Sequence, residues 1–278
     1  MDRPKLTDRA ALERRRARAL AAPGGMADFL HRAVADELEE RRESVNRRFT
    51  DIAVVSGYPD LWADLVPGAR CVTDAETLDL AEGAHDLVMH ALALHWADDP
   101  VGQLVQCRRA LKPDGLFLGA TIGGETLAPL RAALAQAEAE IAGGLSPRVV
   151  PMGEIRDFGG LLQRAGFALP VADSQGYHAS YANAFHLMVD LRAMGETNAL
   201  ADRHRAVPPR ELFPRTAQLY AEAAGLEDGR VGATFEVIFL TGWAPGPDQP
   251  QPLRPGSATR RLADALGVDE TPLPGPKD

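Results

Sequence analysis

Apolar positions along this chain follow two rhythms. Over residues 8–22 and 26–46 they recur at helical spacing. In the second stretch Met26, Phe29, Leu30, Val34 and Leu38 share a face and charges fill the rest, so two helices are expected. At "DIAVVS" (51–56) the pattern becomes short, continuous and β-branched, as in a strand buried on both faces. From there strand and helix patterns alternate. "YPDLWADLV" predicts a short helix and "ARCVTD" a strand. "HDLVMHALALHW" predicts a strand passing into a helix or loop. "DPVGQLVQCRRAL" predicts a helix opened by Asp99-Pro100. "KPDG" is a turn, with Pro at its second position and Gly at its end. "LFLGATIG" is a buried strand. A helix follows from Glu125 to about Ala142, then a Gly-Gly break and a helix over "EIRDFGGLLQRAG". "PVADSQGYHASY" predicts a strand, "AFHLMVDLRAMG" and "RELFPRTAQLYAEAA" helices, and "ATFEVIFLTGWA" a long closing strand.

This alternation predicts an α/β fold with helices on both faces of a mainly parallel sheet. The closing strand has no helix after it, so it is expected to enter antiparallel, at or near an edge. Three regions follow: N-terminal helices over 1–50 that pack on the domain, an α/β domain over 51–243, and a Pro-rich tail over 244–278. The tail is expected to be disordered apart from a short helix at 257–266.

Composition narrows the class. The chain has 278 residues, 45% hydrophobic and 25% charged, which suits a globular protein with a substantial core. A net charge of -9 argues against broad binding to nucleic acid or anionic membrane. Two cysteines, Cys71 and Cys107, make no disulfide framework and point to a reduced, cytoplasmic setting. No apolar run reaches the ~20 residues of a membrane span. The N-terminus is rich in arginine but has no apolar core of a secretory signal, and Asp2, Asp8 and Glu13 speak against an import peptide.

The first strand ends in Val54-Val55-Ser56-Gly57-Tyr58-Pro59-Asp60, where a nucleotide-binding turn would carry two or three glycines. Here there is one. Gly57 either lets backbone approach a ligand or simply reverses the chain. Asp74 either holds a ligand's hydroxyls or is a loop acid or helix cap. His90 and His95 are five positions apart, poor spacing for sharing a helix face, so no metal pair is expected. His95 and Trp96 are either a base beside a ligand crevice or a packed pair. Gly123-Gly124-Glu125 either admits a ligand, with Glu125 receiving a cation, or begins a helix with a stabilising acid. Ser146-Pro147-Arg148 follows a glycine break, as a lid would, and Arg148 is suited to a carboxylate. "MGETN" (194–198) reads as a helix end and loop of the same lid. Neither cysteine has the basic or helix-start setting of a reactive thiolate.

"LHW", "LKPDG" and the apolar strand after it resemble the second half of class I S-adenosylmethionine-dependent methyltransferases. More narrowly, "GGLSPR", "DLRAMGETNA" and "ATFEVIFLTGWA" resemble the methyltransferase-fold assembly factors of respiratory complex I found in mitochondria and α-proteobacteria. A more distant similarity is to malonyl-carrier-protein O-methyltransferases of biotin synthesis. The likeness covers roughly residues 1–243. It implies a Rossmann-like sheet with S-adenosylmethionine over Ser56, Gly57, Asp74, Ala91 and Leu92. Trp96, Gly123, Gly124, Glu125 and Arg148 would then lie on the substrate or lid side, with His95 as base. It also implies a complex I subunit as partner.

Against that family the turn is degenerate and the cofactor half is short. Asp74 follows Gly57 by 17 positions and Asp86 follows Asp74 by only 12, so about one strand–helix unit is missing. Either Asp74 ends the second strand and the third is absent, or "CVTDAETLDL" is the third strand and the second is absent. Spacing favours the latter. Three functions stay open: methyl transfer through an altered turn, a cofactor-free binding or assembly factor, and hydroxylation of an arginine side chain.

Overall fold

Continuous β-branched runs are stable only where both faces of a strand are covered, and they form the middle of this molecule. The computed structural model describes residues 5–247 together with 249 and 267. Met1–Pro245 make one unit and Gly246–Asp278 a second. The expected tail disorder and the helix at 257–266 lie outside the described residues.

In order the elements are α1 (Arg9–Leu20), α2 (Phe29–Ser44), β1 (Ile52–Ser56), α3 (Pro59–Leu65), β2 (Arg70–Thr73), β3 (His85–Ala91), a 3-10 turn (Leu94–Trp96) and α4 (Pro100–Ala110). Then come β4 (Leu111–Ile122), α5 (Ala128–Ala142), α6 (Ile155–Ala165), β5 (Ala168–Tyr181), α7 (Ala184–Ala193), α8 (Leu212–Ala224) and β6 (Val231–Trp243). The sheet runs β2-β1-β3-β4-β6-β5. β2, β1, β3 and β4 are parallel, and β6 is antiparallel to both β4 and β5. The closing strand therefore enters antiparallel, as its lack of a following helix implied, and sits one place in from the edge.

Period-two alternation sorts the core. Val54, Leu87, Met89, Phe235, Val237 and Phe239 face one way, onto α2, α5 and α8. Ala53, Val55, Val88, Ile238 and Leu240 face the other, onto α4 and α6 through Leu104, Cys107, Phe158 and Leu162. Each large side chain so buried contributes about 1.5–3 kcal/mol. In "KPDG", Asp114 has φ +60°, the value that the third position of a type II turn requires.

One expectation is corrected. β2 pairs directly with β1, which is the second strand's place in a sheet of order 3-2-1-4. No strand lies beyond it among the described residues, so the absent unit is the third strand and not the second. The link from Ser56 to Arg70 holds only the short α3.

Candidate functional site

Register gathers the expected cofactor residues at one edge. Ser56 lies opposite Thr73 on one side and Ala91 on the other. Gly57, Asp74 and Leu92 therefore meet just past the C-terminal ends of β1, β2 and β3, where open α/β sheets bind ligands.

That place is filled by α1. Arg16 grips Asp74 with both ends of its guanidinium, Nη1 to Oδ1 at 2.7 Å and Nη2 to Oδ2 at 3.0 Å. Arg9 adds two longer bonds of 3.2 Å to the same carboxylate. Asp74 is 2% exposed, and burial alone would raise its carboxyl. The two arginines instead hold it well below the usual carboxylate range. A Cβ on Gly57 would stand 2.6 Å from Arg16 Nε, so the missing side chain makes room for this arginine. The Tyr58 ring lies beside the guanidinium, 5.8 Å from its centre. Tyr58 Oη donates to Met194 O at 2.8 Å.

The start of α1 is tied down locally. Asp8 caps it by accepting from the Ala11 N–H at 3.0 Å. Thr7 Oγ donates to Trp96 O at 2.8 Å, and the Leu6 and Thr7 N–H groups bond Asp98. Ala11 and Leu12 pack on Trp96, Ala199 and Leu200.

S-adenosylmethionine does not fit these residues as they stand. A ribose needs free carboxylate oxygens at Asp74 and open space above Gly57, and Arg16 takes both. Pro59 supplies no N–H, and Ser56 Oγ accepts from the Tyr58 N–H at 3.2 Å. Ala91 and Leu92 are buried, Leu92 with φ +48° and its N–H on Ala120 O.

On the substrate side lies a cavity of about 600 Å³, lined by His95, Trp96, Arg148 and Glu196 among others. Glu196, from "MGETN", accepts from Trp96 Nε1 at 2.8 Å and from His95 Nε2 at 3.2 Å. Burial would raise its carboxyl, but His95, Arg16 and Trp96 hold it below the ordinary range. A charged Glu196 assigns the proton of His95 to Nε2. Nδ1 is buried and has no hydrogen-bond partner among the described residues. Arg148 lines the cavity but already has its carboxylate, Glu138 at 2.6 Å. Ser146 bonds the same group through Oγ and N–H. Glu138, which burial alone would raise, is thereby held at about 2. Asn198 Nδ2 donates to Pro147 O at 2.8 Å, joining the two expected lid segments.

Gly123, Gly124 and Glu125 are held by hydrogen bonds to Glu236 and Gly153. The Gly123 N–H bonds Glu236 O, the Gly124 N–H bonds Gly153 O, and the Glu125 N–H bonds the Glu236 carboxylate at 2.8 Å. Gly124 has φ +52°, with Glu236 where a side chain would stand. Glu125 is exposed and outside the cavity lining, and the helix starts later, at Ala128. The backbone anchored to β6 delays it.

His90 and His95 do not converge: His90 Nε2 pairs with Gln103 Oε1 at 2.9 Å, while His95 turns to Glu196. Among the described residues no cluster of three His, Cys, Asp or Glu side chains could hold a metal ion. Burial raises both thiols, Cys107 to about 12. Sequence reasoning missed Arg9, Arg16, Gln103 and Glu196. The arginine run of "ERRRARAL" was the visible signal for Arg16.

The chain is similar to several known proteins. Residues 43–119 match a family described as a methyltransferase domain. The chain is 38% identical over 224 residues to the arginine-hydroxylase NDUFAF5, mitochondrial, of Danio rerio, covering 80% of this chain and 69% of that protein. To the human protein of that name it is 38% identical over 212 residues, covering 76% and 61%. The malonyl-[acyl-carrier protein] O-methyltransferase of Halorhodospira halophila is 32% identical over 247 residues, covering 78% of this chain and 82% of that one. Among solved structures, the YcgJ protein of Bacillus subtilis aligns with a TM-score of 0.46 at 11% identity, covering 75% and 97%.

Proposed function

We propose that this chain, which belongs to the methyltransferase-fold family of the NDUFAF5 proteins, serves a subunit of respiratory complex I as a cytoplasmic assembly or holding factor. Its cofactor cradle is closed by its own first helix. The observation that carries this reading is the bidentate Arg16–Asp74 pair seated over Gly57. A nucleoside ligand would have to break that buried pair first. Parting such a pair costs about 3–5 kcal/mol, which weakens binding by roughly two to four orders of magnitude. In this reading Asp74 and Gly57 seat α1 through Arg16, while Ser56, Ala91 and Leu92 are packed beneath them. His95 and Trp96 shape the cavity wall, and Arg148 pins the lid.

Calorimetric titration with S-adenosylmethionine and with its demethylated product tests the cradle. No heat is expected up to about millimolar ligand; micromolar binding would overturn the closed cradle and restore methyl transfer. The partner is tested separately. Loss of the chain is expected to lower assembled complex I on native gels, and unchanged complex I would remove that assignment.

The activity for which the relatives are named, arginine hydroxylation, supports a second reading. It needs an oxidant and a metal or organic cofactor supplied to the site. Its signature is a complex I subunit arginine heavier by one oxygen atom in cells that have the chain and not in cells that lack it.

A further inference from the structure

The cavity on the substrate side carries positive charge that its own residues do not use. Its walls are largely apolar, with Leu130, Leu134, Val150 and Met188 among them. Four arginines also line it, Arg15, Arg131, Arg148 and Arg192, against a single lining carboxylate, Glu196, and of the four only Arg148 has an ion pair among the described residues, with Glu138. Glu196 is already engaged by His95 and Trp96. Among the described residues, four buried polar atoms of this lining have no hydrogen-bond partner: Arg15 Nε, His95 Nδ1, Arg148 Nε and Thr197 Oγ.

Arg15 is the most exposed to this imbalance. Beside it on α1, Arg16 has Asp74, but Arg15 makes no ion pair among the described residues. Burial and the neighbouring Arg18, Arg203 and Arg14 lower its pKa, and Asp8 alone opposes them. Buried donors without acceptors are costly, and a guanidinium facing a cleft is built for a carboxylate or a phosphate. A cationic ligand would be repelled here by Arg15, Arg131 and Arg192.

The geometry points to a binding site for a single-chain aliphatic anion, its chain along the apolar walls and its carboxylate or phosphate head among the unpaired donors, Arg15 first. At about 600 Å³ the cavity lies within the usual range for small-molecule sites. The inference does not depend on the closed cradle or on the complex I assignment.

The test is calorimetry on the full chain with four probes: dodecanoate, dodecyl phosphate and dodecanol below their micelle concentrations, and phosphatidylglycerol vesicles. One site of micromolar affinity is expected for both anions, with dodecanol at least about tenfold weaker. Arg15→Gln should weaken dodecanoate by about tenfold with the melting temperature retained. Three results would overturn the site: neither anion binds, dodecanol binds as well as dodecanoate, or only vesicles give heat. Unchanged dodecanoate affinity in a folded Arg15→Gln would overturn the placement of the head. If that variant does not fold, dodecanoate against dodecanol on the unaltered chain still decides.

Discussion

His31 shows how a single buried side chain sets a pH dependence. It lies on α2, with Nδ1 accepting from Trp62 Nε1 at 3.1 Å and the Tyr58 ring edge-on at 5.3 Å. Burial lowers its pKa to about 4. The folded value is below the unfolded value of about 6.5, so the unfolded chain takes up the proton first as pH falls. Its contribution is complete above about pH 6.5 and is lost as pH drops towards 4. At about 1.4 kcal/mol per unit, the loss is roughly 3 kcal/mol. Urea titrations across that window should show a flatter dependence for His31→Gln than for the unaltered chain. Equal slopes would mean that His31 protonates freely in the fold. His85 and His90 are also lowered by burial, so only the difference between the two chains isolates His31. At this scale the sequence was least legible. Asp74 and Gly57 stand out beside a strand, but the Arg16 partner lies 58 positions away and leaves no periodic trace. Glu196 is hidden the same way, 100 positions from Trp96.

At the scale of elements, α1 is held by an asymmetric arrangement of charges. Asp74 has two arginine partners, whereas Arg16 has one carboxylate. Asp74→Asn leaves Arg16 buried without its counter-charge and should cost about 3–5 kcal/mol. Arg16→Met removes a buried charge and leaves Asp74 with Arg9, so it should cost clearly less. Chemical denaturation of both variants checks the order, and a reversed order would mean that Arg9 does not compensate. The Asp74 contribution has its own pH window. Its folded pKa is depressed, so it is present above the unfolded value of about 3.9 and lost as pH falls through the folded one. Elements were the most legible scale. Apolar periodicity located every helix and strand because burial acts on neighbouring positions. It misassigned the strand at 70–73 because pairing partners are not written in spacing. It began α5 too early because the Gly123 and Glu125 N–H groups are pinned by Glu236 of β6.

On the scale of the whole molecule, β6 carries the sheet. It is hydrogen-bonded to β4 along residues 116–122 and to β5 along most of its length. Phe235, Val237 and Phe239 cover one face and Ile238 and Leu240 the other. A chain stopped after Arg230 loses both pairings and part of both cores. It should show no cooperative thermal transition by circular dichroism; a retained sharp transition would mean that β5 can pair with β4 directly. That the final strand is antiparallel was readable from the sequence, but its insertion inside the edge was not, since nothing local distinguishes the two places. The order of the strands also sets a timetable for biosynthesis. Of the six strands, the ribosome delivers last the one that sits between two made earlier. About 50 residues separate Tyr181 from Val231. At roughly 10 residues per second, β5 waits about five seconds with an open edge, and β4, complete at Ile122, about eleven. Two unpaired strand edges are an invitation to misassembly. The nascent chain is therefore most in need of a chaperone between the emergence of Tyr181 and that of Trp243.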